Sequence, residues 1–243
     1  MPEEAPAKPG KGSKILIVED EMAVADLLTE WLQDAGYEVL TAYNAQEGLR
    51  LFGRHEPDLA ILDILMPNMG GLELIRLIRF ASTSPVLVLS GSGREDYKEA
   101  ALDLGADDYM GKPMGRKELL GRVAAALTWT TRERSFAGEQ PYVDDAIAID
   151  FARREVAVDG RPVALTKIEY LLLTTLVRHP GQTLTYDQLL DSVWGPEYDS
   201  PQYVTWHVGR LRRKVERDPE RPERIVTVRS VGYRYDGHLA AER

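Results

Sequence analysis

The residues best placed for chemistry in this 243-residue chain are polar groups set where short apolar runs end. Leu59-Ala60-Ile61-Leu62 ends in Asp63, and Lys14-Ile15-Leu16-Ile17-Val18 ends in Glu19-Asp20. Val86-Leu87-Val88-Leu89 ends in Ser90, and Asp108-Tyr109-Met110-Gly111 runs into Lys112-Pro113. Glu19, Asp20 and Asp63 are hard oxygen donors of the kind Mg²⁺ takes alongside water and phosphate. A carboxylate is also a nucleophile toward phosphorus, giving an aspartyl phosphate, and Asp63 is the candidate. Ser90 and Lys112 would then receive phosphoryl oxygens, as a hydroxyl donor and a point charge. Taken singly, each acid has a simpler use as a helix cap or turn residue. Their joint occurrence at the run ends is what points to chemistry. Three clustered carboxylates repel one another and gain proton affinity unless a cation sits among them, so a metal follows from the charge.

Positioning them requires a particular scaffold. Short apolar runs alternating with amphipathic helical stretches predict parallel strands covered on both faces, and such sheets bind ligands beyond the carboxyl ends of their strands. Residues 1–13 are rich in Pro, Glu and Lys without periodicity and are expected to be a disordered tail. Residues 131–141 are polar, contain Gly and Pro, and are expected to link two domains, residues 14–130 and 142–238. In the second, strands are expected at 146–149, 155–158 and 161–165, the last two joined by the hairpin signal Asp159-Gly160. Thr166-Lys167-Ile168-Glu169 is a capping box opening a helix to about Arg178. Asp187 opens a second helix and Ser200-Pro201 a third that runs to about Glu216, and Ile225–Arg229 with Gly232–Tyr235 closes the chain as a hairpin. This order predicts an α+β winged helix.

Residues 14 to about 130 resemble the receiver domain of a bacterial two-component response regulator. The resemblance rests on Val18-Glu19-Asp20-Glu21, Leu62-Asp63-Ile64-Leu65-Met66-Pro67, Leu89-Ser90-Gly91 and Gly105-Ala106-Asp107-Asp108-Tyr109-Met110-Gly111-Lys112-Pro113. It implies an α/β fold, a doubly wound five-stranded parallel sheet of the flavodoxin-like kind. It further implies that Asp63 takes phosphate from a sensor histidine kinase. Asp20, Asp63 and the Leu65 carbonyl would bind Mg²⁺, Glu19 would complete the acidic pocket, and Ser90 and Tyr109 would be the switch pair. The phosphorylated form is expected to be a homodimer, pairing Lys98 with Glu118 and Asp107 or Asp108 with Arg122. Ser90 stands where threonine is commoner, Met114 where phenylalanine is usual, and Ala124 where a basic partner of Asp103 usually lies.

Net charge is −9, and it divides unevenly along the chain. Residues 1–134 hold 15 basic and 22 acidic residues, and residues 135–243 hold 15 and 17, so the first part carries −7 and the second −2. Within 202–234 nine basic residues face four acidic ones, which is the sign expected of a surface that follows a phosphate backbone. Residues 142 to about 236 resemble the effector domain of OmpR/PhoB-type winged-helix transcription factors. The motifs are Leu165-Thr166-Lys167-Ile168-Glu169-Tyr170, His179-Pro180-Gly181, Leu189-Leu190-Asp191-Ser192-Val193-Trp194-Gly195, Val204-Thr205-Trp206-His207-Val208-Gly209-Arg210-Leu211-Arg212-Arg213-Lys214 and Thr227-Val228-Arg229-Ser230-Val231-Gly232-Tyr233-Arg234. The resemblance implies double-stranded DNA with tandem half-sites, the third helix in the major groove and the hairpin at the minor groove. Arg210 and Arg229 match positions that reach bases. Trp194, His207, Arg212, Thr227 and Tyr233 match backbone-contacting or structural positions, and Arg213 and Lys214 extend the basic face. Gln202-Tyr203-Val204-Thr205-Trp206-His207 departs from the family's usual helix opening, so Tyr203, Thr205 and Trp206 are candidates for an altered site. Val204 and Leu211 are core positions by spacing, and Trp206 stays open between core and groove.

The expected function is phosphorylation-dependent transcription regulation, with RNA polymerase as a further partner and no enzymatic turnover of a substrate. A phosphoryl-transfer enzyme of the haloacid dehalogenase kind needs a second acid two residues after its nucleophile, where this chain has Leu65. A receiver-like module that acts without phosphorylation fits poorly with the complete acidic set. The four histidines, His55, His179, His207 and His238, have no ligand spacing, so zinc is not expected. Zero cysteines, and no apolar run near the roughly 20 residues that cross a bilayer, lead to the expectation of a cytoplasmic protein away from membranes.

Overall fold

The computed structural model describes residues 12–67, 70–91, 95–135, 139–196 and 198–237, so nearly all of the expected tail lies outside the described residues. The chain forms two compact units that divide after Thr128.

The first unit is a parallel sheet ordered β2-β1-β3-β4-β5. Its strands are β1 (Lys14–Val18), β2 (Glu38–Ala42), β3 (Leu59–Asp63), β4 (Val86–Ser90) and β5 (Asp108–Gly111). The helices between them are α1 (Met22–Asp34), α2 (Ala45–His55), α3 (Gly71–Ala81) and α4 (Glu95–Asp103), followed by α5 (Arg116–Ser135). Every residue of β3 and β4 is buried, which is what a continuous apolar run must achieve when helices cover both faces. Burial of each large aliphatic side chain contributes about 1.5–3 kcal/mol, so Ile15, Leu16, Leu59, Leu62 and their neighbours hold the strand ends in fixed register. β1 and β3 are neighbours although β2 lies between them in sequence, which makes their carboxyl ends the switch point where a crevice opens. α5 continues through Ser135, into the stretch read from sequence as linker. Thr130 to Ser135 contains neither glycine nor proline, and nothing stops the helix before Phe136.

The second unit has two antiparallel sheets, β6-β7-β8-β9 and β10-β12-β11. The first comprises β6 (Tyr142–Val143), β7 (Ile147–Asp150), β8 (Glu155–Val158) and β9 (Arg161–Pro162). Asp159 and Gly160 have φ of 48° and 75°, the paired positive values of the tight hairpin their sequence predicts. α6 (Lys167–Val177) begins at Thr166 with both halves of the capping box formed. β10 (Thr183–Thr185) leads into α7 (Tyr186–Leu189), which opens on a second capping box, Thr185 with Gln188. A π-helical turn, Leu190–Trp194, continues α7 and ends at Gly195, whose φ is +96°. α8 (Pro201–Val215) is capped by the Ser200 side chain and buries Val204, Val208, Leu211 and Val215, matching the two core positions read from spacing. β11 (Ile225–Val228) and β12 (Gly232–Tyr235) form the terminal hairpin, with β10 pairing on its other side. β6 and β10 escape a pattern search because two or three residues show no periodicity. One buried clasp joins the ends of this unit. Asp144 Oδ2 accepts from the Tyr142 hydroxyl at 3.0 Å and the Tyr235 hydroxyl at 2.5 Å, while its Oδ1 accepts from the Ala146 and Ile147 amides.

Candidate functional site

At the switch point, β1 delivers Glu19 and Asp20 and β3 delivers Asp63, and one oxygen from each lies within 4.8 Å of the others. Glu19 and Asp63 are buried while Asp20 faces outward, so the cluster opens at one corner. Lys112, directly after β5, donates to Glu19 Oε2 and Asp63 Oδ2, both at 2.5 Å. The other Asp63 oxygen accepts from the Leu65 amide at 2.8 Å, which bends the chain after β3. Ser90 ends the adjacent strand and is fully buried, and its carbonyl accepts from the Lys112 amide at 2.8 Å. Tyr109 lies beside Val88 in register, and its buried hydroxyl has no hydrogen-bond partner among the described residues. Glu19, Asp20, Asp63, Ser90 and Lys112, with Leu65 beside them, thus stand at neighbouring strand ends, while Tyr109 lies two residues before the end of β5.

One positioning residue had no reading from sequence. A Cβ on Gly71, the first residue of α3, would lie 2.2 Å from the Asp63 carbonyl oxygen, so only glycine lets α3 begin against the end of β3. The Gly70-Gly71 pair shortly after an apolar run was the available signal.

The charges in the pocket are unequal. Burial raises the Glu19 carboxyl above its ordinary value, and repulsion from Asp63 adds to this against the pull of Lys112. Burial disfavours the charged Lys112, but its bonds to Asp63 and Glu19 outweigh this and raise its pKa. Three acids and one ammonium leave an excess of negative charge facing the exposed corner. Hard oxygen donors with that excess suit Mg²⁺, so the residues present fit the ion.

In the second unit, α8 and the β11–β12 hairpin carry the remaining candidates. Gln202, Thr205 and Arg213 are exposed on α8, as are Thr227 and Arg229 on the hairpin. Tyr203, Trp206, Arg212 and Lys214 are partly exposed. Arg212 donates through Nε to the Ile225 carbonyl at 3.0 Å and through Nη2 to Thr227 Oγ1 at 2.9 Å, with its guanidinium 5.4 Å from the Tyr233 ring centroid. It ties the helix to the hairpin. Trp194 and His207 are fully buried with rings 5.3 Å apart, and Tyr203 packs edge-on against Tyr198 at 5.0 Å.

Two family models match this chain: "Response regulator receiver domain" over residues 15–124 and "Transcriptional regulatory protein, C terminal" over residues 160–235. The KDP operon transcriptional regulatory protein KdpE of Escherichia coli is 40% identical over 225 residues, covering 92% of this chain and 99% of the relative. The sensory transduction protein RegX3 of Mycolicibacterium smegmatis is 37% identical over 228 residues, covering 93% and 100%. Among solved structures, a RitR mutant superposes with a TM-score of 0.78 at 26% identity, covering 93% of this chain and 99% of the other. The chain belongs to the OmpR/PhoB-type response regulators. Like them, it is a DNA-binding, phosphorylation-dependent transcriptional regulator of a two-component system.

In this response regulator, several of the expected site side chains have partners inside their own domain. Arg210 is 7% exposed, with Nη2 at 3.0 Å from the buried Glu169 carboxylate, so its side chain is engaged inside the domain. Lys214 shares Glu169 at 2.6 Å and donates to the Ala164 carbonyl. Trp194, His207 and Tyr233 are buried, as the structural alternative for their motif positions requires. The basic cluster is also smaller in effect than its count. Arg210 and Lys214 meet Glu169, Arg217 meets Asp159, Arg224 meets Glu216 and Arg234 meets Asp236.

The same holds for the expected dimer residues. Asp107 is fully buried, paired with Arg79 and accepting from the Val86 amide at 2.9 Å. Asp108, also buried, receives Arg122 Nη1 at 3.1 Å on both carboxylate oxygens within one chain. Glu118 lies 3.6 Å from Arg122 along α5, and Lys98 is half-buried on α4. No helix among the described residues is long and apolar enough to cross a membrane.

Proposed function

We propose that Asp63 is the residue phosphorylated by the sensor histidine kinase. Glu19, Asp20, Asp63 and the Leu65 carbonyl would hold the Mg²⁺, and Lys112 and Ser90 would take the phosphoryl oxygens. The observation that carries this is the excess of three acids over one ammonium around a strand-end carboxylate. When bound, the ion would neutralise charge between Asp63 and the incoming phosphoryl group. Asp63 attacks phosphorus, the bond to the donor breaks, and Lys112 loses one carboxylate partner as the acyl phosphate forms. Ser90 and Tyr109, on neighbouring strands, are the groups through which the change would spread.

Phosphorylation then favours a dimer through the α4, β5 and α5 side of the receiver, pairing Lys98 with Glu118, while Arg122 exchanges its intrachain Asp108 contact for a pairing with Asp107 or Asp108 across the two-fold. Pairing raises the effective concentration of the second effector domain at tandem half-sites. α8 enters the major groove, with Arg229 and Thr227 on the hairpin at the flanking groove and RNA polymerase as a further contact. A cytoplasmic location follows from these partners. Acetyl phosphate with Mg²⁺ should add one phosphoryl mass to the wild type and none to Asp63→Asn. Sedimentation of the same samples should show dimer only in the labelled protein. Full labelling of Asp63→Asn would remove the assignment.

A further inference from the structure

α8 carries a glycine that its own domain does not use. Gly209 lies in the helix interior, where glycine is the least favourable residue after proline. A Cβ built there meets nothing within 4 Å, so neither packing nor a close backbone approach inside the protein requires it. Its φ is not among the positive values, so the backbone does not require it either. Gly71 and Gly232 are different, each pressed against a carbonyl oxygen. The helical position supplies the missing reason. Gln202, Trp206, Gly209 and Arg213 recur at intervals of three or four along α8 and form one stripe that is exposed or partly exposed. Val204, Val208, Leu211 and Val215 form the buried face, and Arg210 at its margin is turned inward onto Glu169. The middle of the solvent stripe therefore has no side chain at all.

We infer that Gly209 is a specificity-determining position of α8: its bare backbone lets the helix sit close against the base edges, and Arg213, one turn further on, takes the guanine-reading role that buried Arg210 cannot. This rests on the placement of α8 in the major groove proposed above. An α-helix with side chains is about 10–12 Å across and the groove about 12 Å wide, so a side chain on the inward line holds the axis away from the bases. Gly209 removes that spacer at the centre of the stripe. Trp206, a turn before it, then brings an indole edge toward thymine methyl groups, and Arg213 brings a planar fork toward guanine O6 and N7. Lysine in place of Arg213 would keep the charge but lose the two-pronged geometry.

The test is selection by the full-length, acetyl phosphate-treated protein from synthetic duplexes carrying about 20 randomised base pairs, enough for two half-sites a helical turn apart. Affinity is then measured on the enriched duplex and on a scrambled one. Gly209→Gln should melt no lower than wild type, because glutamine is a better helix former. It should bind the enriched duplex about tenfold more weakly while its affinity for the scrambled duplex changes far less. Gly209→Ala should show the same loss in smaller measure. Arg213→Lys should enrich a motif relaxed at one guanine while keeping its affinity for scrambled DNA. If Gly209→Gln binds the enriched duplex as tightly as wild type while Arg213→Lys relaxes the motif, close approach at Gly209 is overturned and α8 stays in the groove. If neither variant alters motif or affinity, α8 is not the reading helix and both proposals fall.

Discussion

The acidic pocket of the receiver and the Glu169 site of the effector domain use the same groups to opposite ends. Around Asp63, three carboxylates face one lysine, and burial with mutual repulsion raises the Glu19 carboxyl. Around Glu169, one carboxylate faces Arg210 and Lys214 and caps α6 through the Thr166 amide. Burial alone would raise the Glu169 pKa, but the two cations outweigh it and the value falls. A site with more carboxylates than cations has a place for a cationic ligand. A carboxylate already met by two cations is complete and serves the fold.

If that contrast is right, the largest effect should come from breaking the Glu169 site. Glu169→Ala leaves Arg210 buried without its carboxylate and removes half of the α6 capping box, which should cost about 3–5 kcal/mol. Urea unfolding of the full chain should show this as a large fall in the effector domain's midpoint. A loss below about 1 kcal/mol would mean the pair is worth no more than an exposed one.

At the acid-rich site, removing the one positive charge should help a cationic ligand. Lys112→Ala should tighten Mg²⁺ binding by about fivefold, the factor for roughly 1 kcal/mol of repulsion between unit charges near 4 Å in water. Calorimetric titration of the unphosphorylated protein would measure it. Weaker binding would show that Lys112 orders the carboxylates instead of competing for them.

The smallest and most direct comparison is titration of the two carboxyl groups about their ordinary value of 4.5. Glu169, held below it, contributes stability that is present above 4.5 and lost as pH falls through the depressed folded value. Glu19, held above it, contributes stability that is complete below 4.5 and lost as pH rises through the elevated value. NMR titration of metal-free protein should place the two on opposite sides of 4.5, and Mg²⁺ should lower Glu19 while leaving Glu169 unmoved. Values on the same side would erase the distinction between the sites.

Much of this was legible in the sequence because the signals were local. Apolar runs ending in Glu19, Asp63, Ser90 and Gly111-Lys112 specify strand ends, and parallel strands bring those ends together. Thr166 with Glu169, and Asp159-Gly160, each encode their geometry within four residues. Direction was not legible where the deciding partner lay far along the chain. Arg210 sits at the border of the buried and exposed faces of α8, and only Glu169, on another helix, settles which way it turns. Asp107 was hidden in the same way by Arg79. β2 mixes Glu38 and Thr41 with apolar residues because it is an edge strand, and so lacks the continuous run that marked its neighbours.

The Asp144 clasp gives the effector domain a single doorway. Tyr142, in its first strand, and Tyr235, in its last, hold the same carboxylate, so the chain enters and leaves at one spot. A unit closed at its threshold is portable. The chain joins the domain at that clasp, so the domain can follow a different input module without its interior being rewritten.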